Sequence, residues 1–106
     1  MNIRKPADYV TMFTTLDTLM AAQLSQMELY CEIGRVVSGR AEKGAAVAAS
    51  EYLQAAYPAA EGFSPRNVRR MRAFYAAYEE SPEIMRLAMH LGWTQNVAIL
   101  EGCGSN

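Results

Sequence analysis

Along the first third of the chain, apolar side chains recur at Phe13, Leu16, Met20, Leu24, Met27, Cys31 and Gly34, in steps of three and four. From position 9 to 37 there is no proline, and Gly34 is the one glycine. That spacing predicts one amphipathic helix within 7–37, capped by Asp8, with roughly 28 residues and 40 Å of length at about 1.5 Å per residue. Such a rod is long for a small domain. Its N-terminal half is expected to project and to pair with a second copy through Phe13, Leu16, Met20 and Leu24. The threonines at 11, 14, 15 and 18 are weak helix formers, so that half should depend on packing.

Ser38-Gly39-Arg40 interrupts the pattern, and an alanine-rich helix follows over 41–57, anchored by Val47, Leu53 and Tyr57. Pro58 and Gly62 bound a turn. Ser64 then reads as an N-cap and Pro65 as the first residue of the next helix, where its missing N–H costs nothing. At 100° per residue, Val68, Met71, Phe74, Tyr75 and Tyr78 fall on an inward face. Arg66, Arg69, Arg70, Ala73, Ala76 and Ala77 fall outward, with Asn67 and Arg72 on the flanks. Ser81-Pro82 ends this helix. A short helix over 83–91 follows, with Ile84, Leu87, Ala88 and Leu91 inward. Thr94 caps a last helix over 95–101 that buries Val97 and Leu100, and Trp93 anchors the two. No segment alternates with strand period. The expected class is all-α: one domain over 1–106, with the long helix at 7–37, a helix-turn-helix-like unit at 41–78 and C-terminal helices at 82–101, about four shorter helices after the first.

Charge sharpens the picture at one place. The 106 residues carry a net charge of −1 and a pI near 5.8, so nucleic-acid binding must come from a localised patch. Four of the ten basic residues lie within 66–72, and 62–78 holds no acid. Charge runs are usually solvated faces. Here, however, the arginines crowd a helix N-terminus, where the dipole disfavours cations by a few tenths of a kcal/mol each but favours a phosphate. The candidate nucleic-acid contacts are Arg66, Arg69 and Arg70, with Asn67 and Arg72 beside them.

Other chemistry is sparse. His90 is the one histidine and lacks neighbours at ligand spacing; Glu79, Glu80 and Glu83 read as a solvated acidic run. There is no GxxxxGK[ST], GxSxG or HExxH motif, so neither metal, cofactor nor catalysis is expected. Cys31 and Cys103 lack CxxC spacing and read as free thiols, with a disulfide left open. No apolar run is long enough for a membrane span, and no secretory h-region follows the start, so the expectation is a cytoplasmic protein without a membrane partner.

Three motifs occur in order: Tyr30-Cys31-Glu32-Ile33-Gly34-Arg35, then Gly62-Phe63-Ser64-x-x-Asn67-Val68-x-x-Met71-Arg72-x-Phe74-Tyr75, then Leu91-Gly92-Trp93-Thr94-Gln95-Asn96-Val97. Together they resemble the N-terminal domain of the YhcG-like family, the domain of unknown function numbered 1016, over about two thirds of the chain. Two positions depart from it. Cys31 stands where the family tends to carry tryptophan and Gln95 where it often carries histidine, changes expected to alter packing. The resemblance implies a helical, helix-turn-helix-like DNA-binding module. In the family it is normally followed by a PD-(D/E)XK nuclease domain, and the sequence to Asn106 is expected to hold the binding module alone. The expected function is therefore non-catalytic docking of 64–78 on duplex DNA as a homodimer. The alternative is an assembly module that uses its first helix to dimerise or to position a separately encoded nuclease.

Overall fold

The computed structural model describes residues 9–104 apart from 41 and 43, with 103 and 104 described by their backbone alone. Six helices follow one another: α1 (Val10–Ala21), α2 (Gln26–Ser38), α3 (Gly44–Ala56), α4 (Pro65–Tyr78), α5 (Pro82–Met89) and α6 (Trp93–Gly104). The class is all-α, and no strand occurs among the described residues. The expected cap Asp8, the start of the second predicted helix at 41 and the Cys103 side chain lie outside what is described.

The single long N-terminal helix is not formed. It breaks after Ala21, where Gln23 takes φ +58° and Ser25 starts α2 afresh. Ser25 Oγ accepts the Glu28 N–H at 3.2 Å, and Glu28 Oε1 accepts the Ser25 N–H at 3.1 Å. Two orphan donors of the new helix are thus satisfied reciprocally, a capping box that a continuous helix would forgo. The apolar period survives the break because α1 folds back on the same core. Met12 and Leu16 are buried in the main core, where α1 packs against α2 and α3, with Phe13 and Met20 packed beside them. Leu16, proposed for a dimer seam, lies fully inside its own subunit, and the projecting half that suggested the seam is absent.

Asp17 fixes α1 to α3. Its carboxylate accepts hydrogen bonds from Tyr57 Oη at 2.6 Å and Tyr52 Oη at 2.7 Å, and Phe13 stacks on the Tyr52 ring at 4.3 Å. The two phenols, Tyr57 more than Tyr52, hold the Asp17 carboxyl below its ordinary range. In return, the carboxylate pushes Tyr57 up to about 12.

The centre is the crossing of α2 and α4. Gly34 faces the backbone carbonyl of Met71 so closely that an added Cβ would collide with it. Around this crossing Ile33, Val37, Leu53, Val68, Met71 and Phe74 are buried. Each such side chain contributes on the order of 1.5–3 kcal/mol of burial. Trp93 behaves as the expected anchor. Its ring meets Tyr30 edge-on at 4.9 Å and Phe74 at 6.0 Å, joining the main core to a smaller one of Met27, Cys31, Phe74 and Ala88. Burial pushes the Cys31 thiol above its usual value, so it packs rather than reacts.

The inward face of α5 differs from expectation. Ile84, Leu87 and Leu91 are 53%, 67% and 44% exposed, while Met85, Ala88 and Met89 turn inward. The contact that orients the helix is Met85 Sδ against Cys31 Sγ at 3.5 Å. Asn96 Nδ2, fully buried, holds the following turn by donating to the carbonyls of Ala88 and Gly92, each at 2.8 Å.

Candidate nucleic-acid interface

The arginine-bearing helix begins as its sequence requires. Gly62 takes φ +94°, and a Cβ there would strike the Tyr30 hydroxyl, so glycine is needed for both reasons. Ser64 Oγ accepts the Asn67 N–H at 3.1 Å, and Pro65 occupies the first helical turn. This capping alters the expected anion site at the helix end. Pro65 has no N–H, that of Asn67 goes to Ser64 Oγ, and that of Val68 goes to the Ser64 carbonyl at 2.9 Å. The backbone offers an anion little, and contact falls to the guanidinium groups.

Those groups separate into three kinds. Arg66 and Arg69 are exposed on the outer face, among exposed Ala73, Ala76 and Ala77. Arg70 lies on the same face, but its Nε and Nη2 donate to the two carboxylate oxygens of Glu101 on α6, at 2.7 and 3.1 Å. That fork, with Arg66 close by, holds the Glu101 carboxyl below its ordinary range. Arg72 is turned inward on the flank, donating from Nη2 to the Arg40 carbonyl at 2.9 Å and tying α4 to the α2–α3 connection. Asn67 is likewise structural: its Nδ2 donates to the Gly62 carbonyl at 2.7 Å and its Oδ1 accepts the Trp93 Nε1–H at 3.0 Å.

Two residues that the sequence pattern does not single out belong to this surface. Glu101 faces Arg70 across 31 positions, a separation without a local signature. Arg40, in the interruption after α2, lies with its guanidinium 4.7 Å above the Tyr9 ring and its Nε donating to Glu42 at 3.0 Å. The connection from α3 to α4 spans residues 57–64, longer than the roughly three- to four-residue turn of the DNA-binding motif. Of the proposed seam, Leu24 is half-buried at the rim of an apolar groove with Leu19, Met85 and Met89. Among the described residues no three of His, Cys, Asp and Glu gather to hold a metal ion, and no helix is long and apolar enough to cross a membrane.

The fold and this face define a small all-helical domain that presents one arginine-rich helix on an acidic remainder, since the chain outside α4 holds six basic and eleven acidic residues. Residues 13–106 match the DUF1016 N-terminal domain, and the chain belongs to that family. Neither the curated proteins nor the solved structures gave a match.

Proposed function

We propose that this domain is a non-catalytic DNA-binding module that docks the outer face of α4 on duplex DNA. The observation that carries the reading is Arg66 and Arg69 standing exposed on a helix face that they share with alanines and the Glu101-bound Arg70, with no acid between positions 62 and 78. Alanines let a duplex approach the helix closely, and guanidinium groups make strong, forked hydrogen bonds to phosphate. Docking by this face does not depend on a tight helix-turn-helix connection.

The Glu101 carboxylate occupies the fork of Arg70 much as a phosphate would. Wild-type protein is therefore expected to neutralise two phosphates per subunit and to show a log–log salt slope near −1.8, at about −0.9 per phosphate. Glu101→Gln releases Arg70, and the slope should steepen to about −2.7. Replacing Arg66, Arg69 and Arg70 together by alanine should abolish binding while circular dichroism keeps its helical signal. A triple variant that binds duplex DNA as the wild type does removes α4 from this function.

A second reading, assembly with another copy of the chain, is favoured by the exposed stripe of Ile84, Leu87 and Leu91. The same helix forms one wall of the apolar groove with Leu19, Leu24, Met85 and Met89. A two-fold axis beside α5 would set each stripe at the other's groove. Sedimentation at two concentrations tests it: wild type should self-associate and Leu87→Glu should not. If the wild type stays monomeric at both, the dimer is lost and the DNA reading is untouched.

A further inference from the structure

We propose that the cleft between the end of α2, the start of α3 and the middle of α4 is a phosphate-binding site that adjoins the outer ridge of α4 and shares Arg69 with it. The cleft measures about 860 Å³ and is lined by Ser38, Arg40, Gly44, Arg69, Arg72 and Ala73, among others. Arg69 stands on one wall and Arg40 on the other, so two cations from separate elements border one space. The Ser38 hydroxyl adds a neutral donor at the rim.

Each arginine is prepared for this role in a different way. Arg40 is spread over the Tyr9 ring with its Nε committed to Glu42, which fixes the guanidinium plane and so lowers the entropy lost when its other nitrogens take a ligand. A hydrogen bond to its own backbone amide, then the one from Arg40, keeps the Glu42 carboxyl below its usual range and hence charged, preserving that anchor. Arg72 holds the wall itself in place through the Arg40 carbonyl. Arg69 is exposed and reaches from the outer face of α4 into the cleft lining. The walls between them are glycine, alanine and valine, too short to fill the space.

The ligand class is a phosphate group, and two sources share that chemistry: a backbone phosphodiester of DNA or a free phosphate compound. The inference deepens and rests on the nucleic-acid reading, since Arg69 belongs to both the ridge and the cleft, whereas Arg40 lines the cleft and lies off the α4 ridge. The test is an NMR titration of the whole chain with duplex DNA in one arm and inorganic pyrophosphate in the other, following arginine Nε–H and backbone signals. Both ligands should shift Ser38, Arg40, Gly44 and Arg69, and DNA should shift Arg66 as well. Arg40→Gln should weaken both ligands about tenfold, the loss expected for one charge-assisted contact. Arg66→Ala should weaken DNA and leave pyrophosphate unchanged.

Shifts at Arg66 without shifts in the cleft overturn this inference and leave the outer-ridge reading standing. Shifts in the cleft with pyrophosphate but none with DNA uphold the site, assign it to a free phosphate compound and overturn the nucleic-acid reading. No shift with either ligand overturns both. Should Arg40→Gln lose its folded spectrum, Arg69→Ala, at an exposed position, takes its place: it should weaken pyrophosphate by a similar factor, and unchanged affinity overturns the site.

Discussion

Helices α4 and α5 follow one another in the chain, and the apolar spacing of each predicts an inner face, yet only α4 buries the face predicted. In α4 the polar residues confine the apolar ones to a single stripe, so only one orientation buries Val68, Met71 and Phe74. In α5 and its end, Ile84, Met85, Leu87, Ala88, Met89 and Leu91 are all apolar, and Glu83, Arg86 and His90 mark only the opposite edge. An apolar arc that wide offers two inner faces about 100° apart. The Cys31–Met85 contact and the Asn96 clamp selected the one that leaves Ile84, Leu87 and Leu91 in solvent. A hydrophobic pattern thus specifies an orientation only when its polar counterpart is broad enough to exclude the others.

Substitutions on the two helices should reproduce that difference. Phe74→Ala removes a fully buried ring at the junction of both cores and should cost about 3–5 kcal/mol in chemical denaturation. Gly34→Ala forces a methyl group onto the Met71 carbonyl and should cost about 1–3 kcal/mol, with the α2–α4 crossing displaced. A smaller change tests the break before α2 through its sign. Gln23→Gly relieves a left-handed side-chain residue and should raise stability by about 1 kcal/mol, whereas glycine inside a continuous helix would lower it by a similar amount. At the far end of the scale, Leu87→Ala should change stability by no more than about 0.5 kcal/mol, and α5 amides should exchange faster than those of α4. A large loss at Leu87 would mean that the stripe is covered in solution and would turn attention to the dimer.

The Asp17 cluster adds a test by pH. Tyr57 is raised from 10.0 to about 12 on folding, so its contribution is fully present below pH 10 and fades as pH climbs toward 12. Asp17 is lowered from 3.8, so its contribution is present above that value and fades as pH falls through the folded pKa. Asp17→Asn should flatten stability against pH at both ends, as read from thermal melts.

Much of this molecule is legible in its residues because the determinants are local. Gly62, Ser64 and Pro65 fix the start of α4 within a few positions, and the arginine–alanine face follows from the helical period alone. The capping box that splits α1 from α2 is also written in the chain, as Ser25 and Glu28 three positions apart. The apolar period masks it by running on unbroken through Leu24 and Met27. Local hydrogen bonding outweighs periodicity there, and the rod folds into two.

The sequence by itself determined an all-helical chain, the family to which it belongs, the start and inner face of α4, and the crowding of positive charge along that helix. Only the tertiary structure decided how that charge is distributed: Arg70 given to Glu101, Arg72 and Asn67 given to the scaffold, and Arg40 brought from another element to face Arg69 across a cleft. The physical reason is range. Caps and periods act over three or four residues and can be read in order, whereas a guanidinium finds its carboxylate or carbonyl wherever folding has placed one, here 31 or 32 positions away.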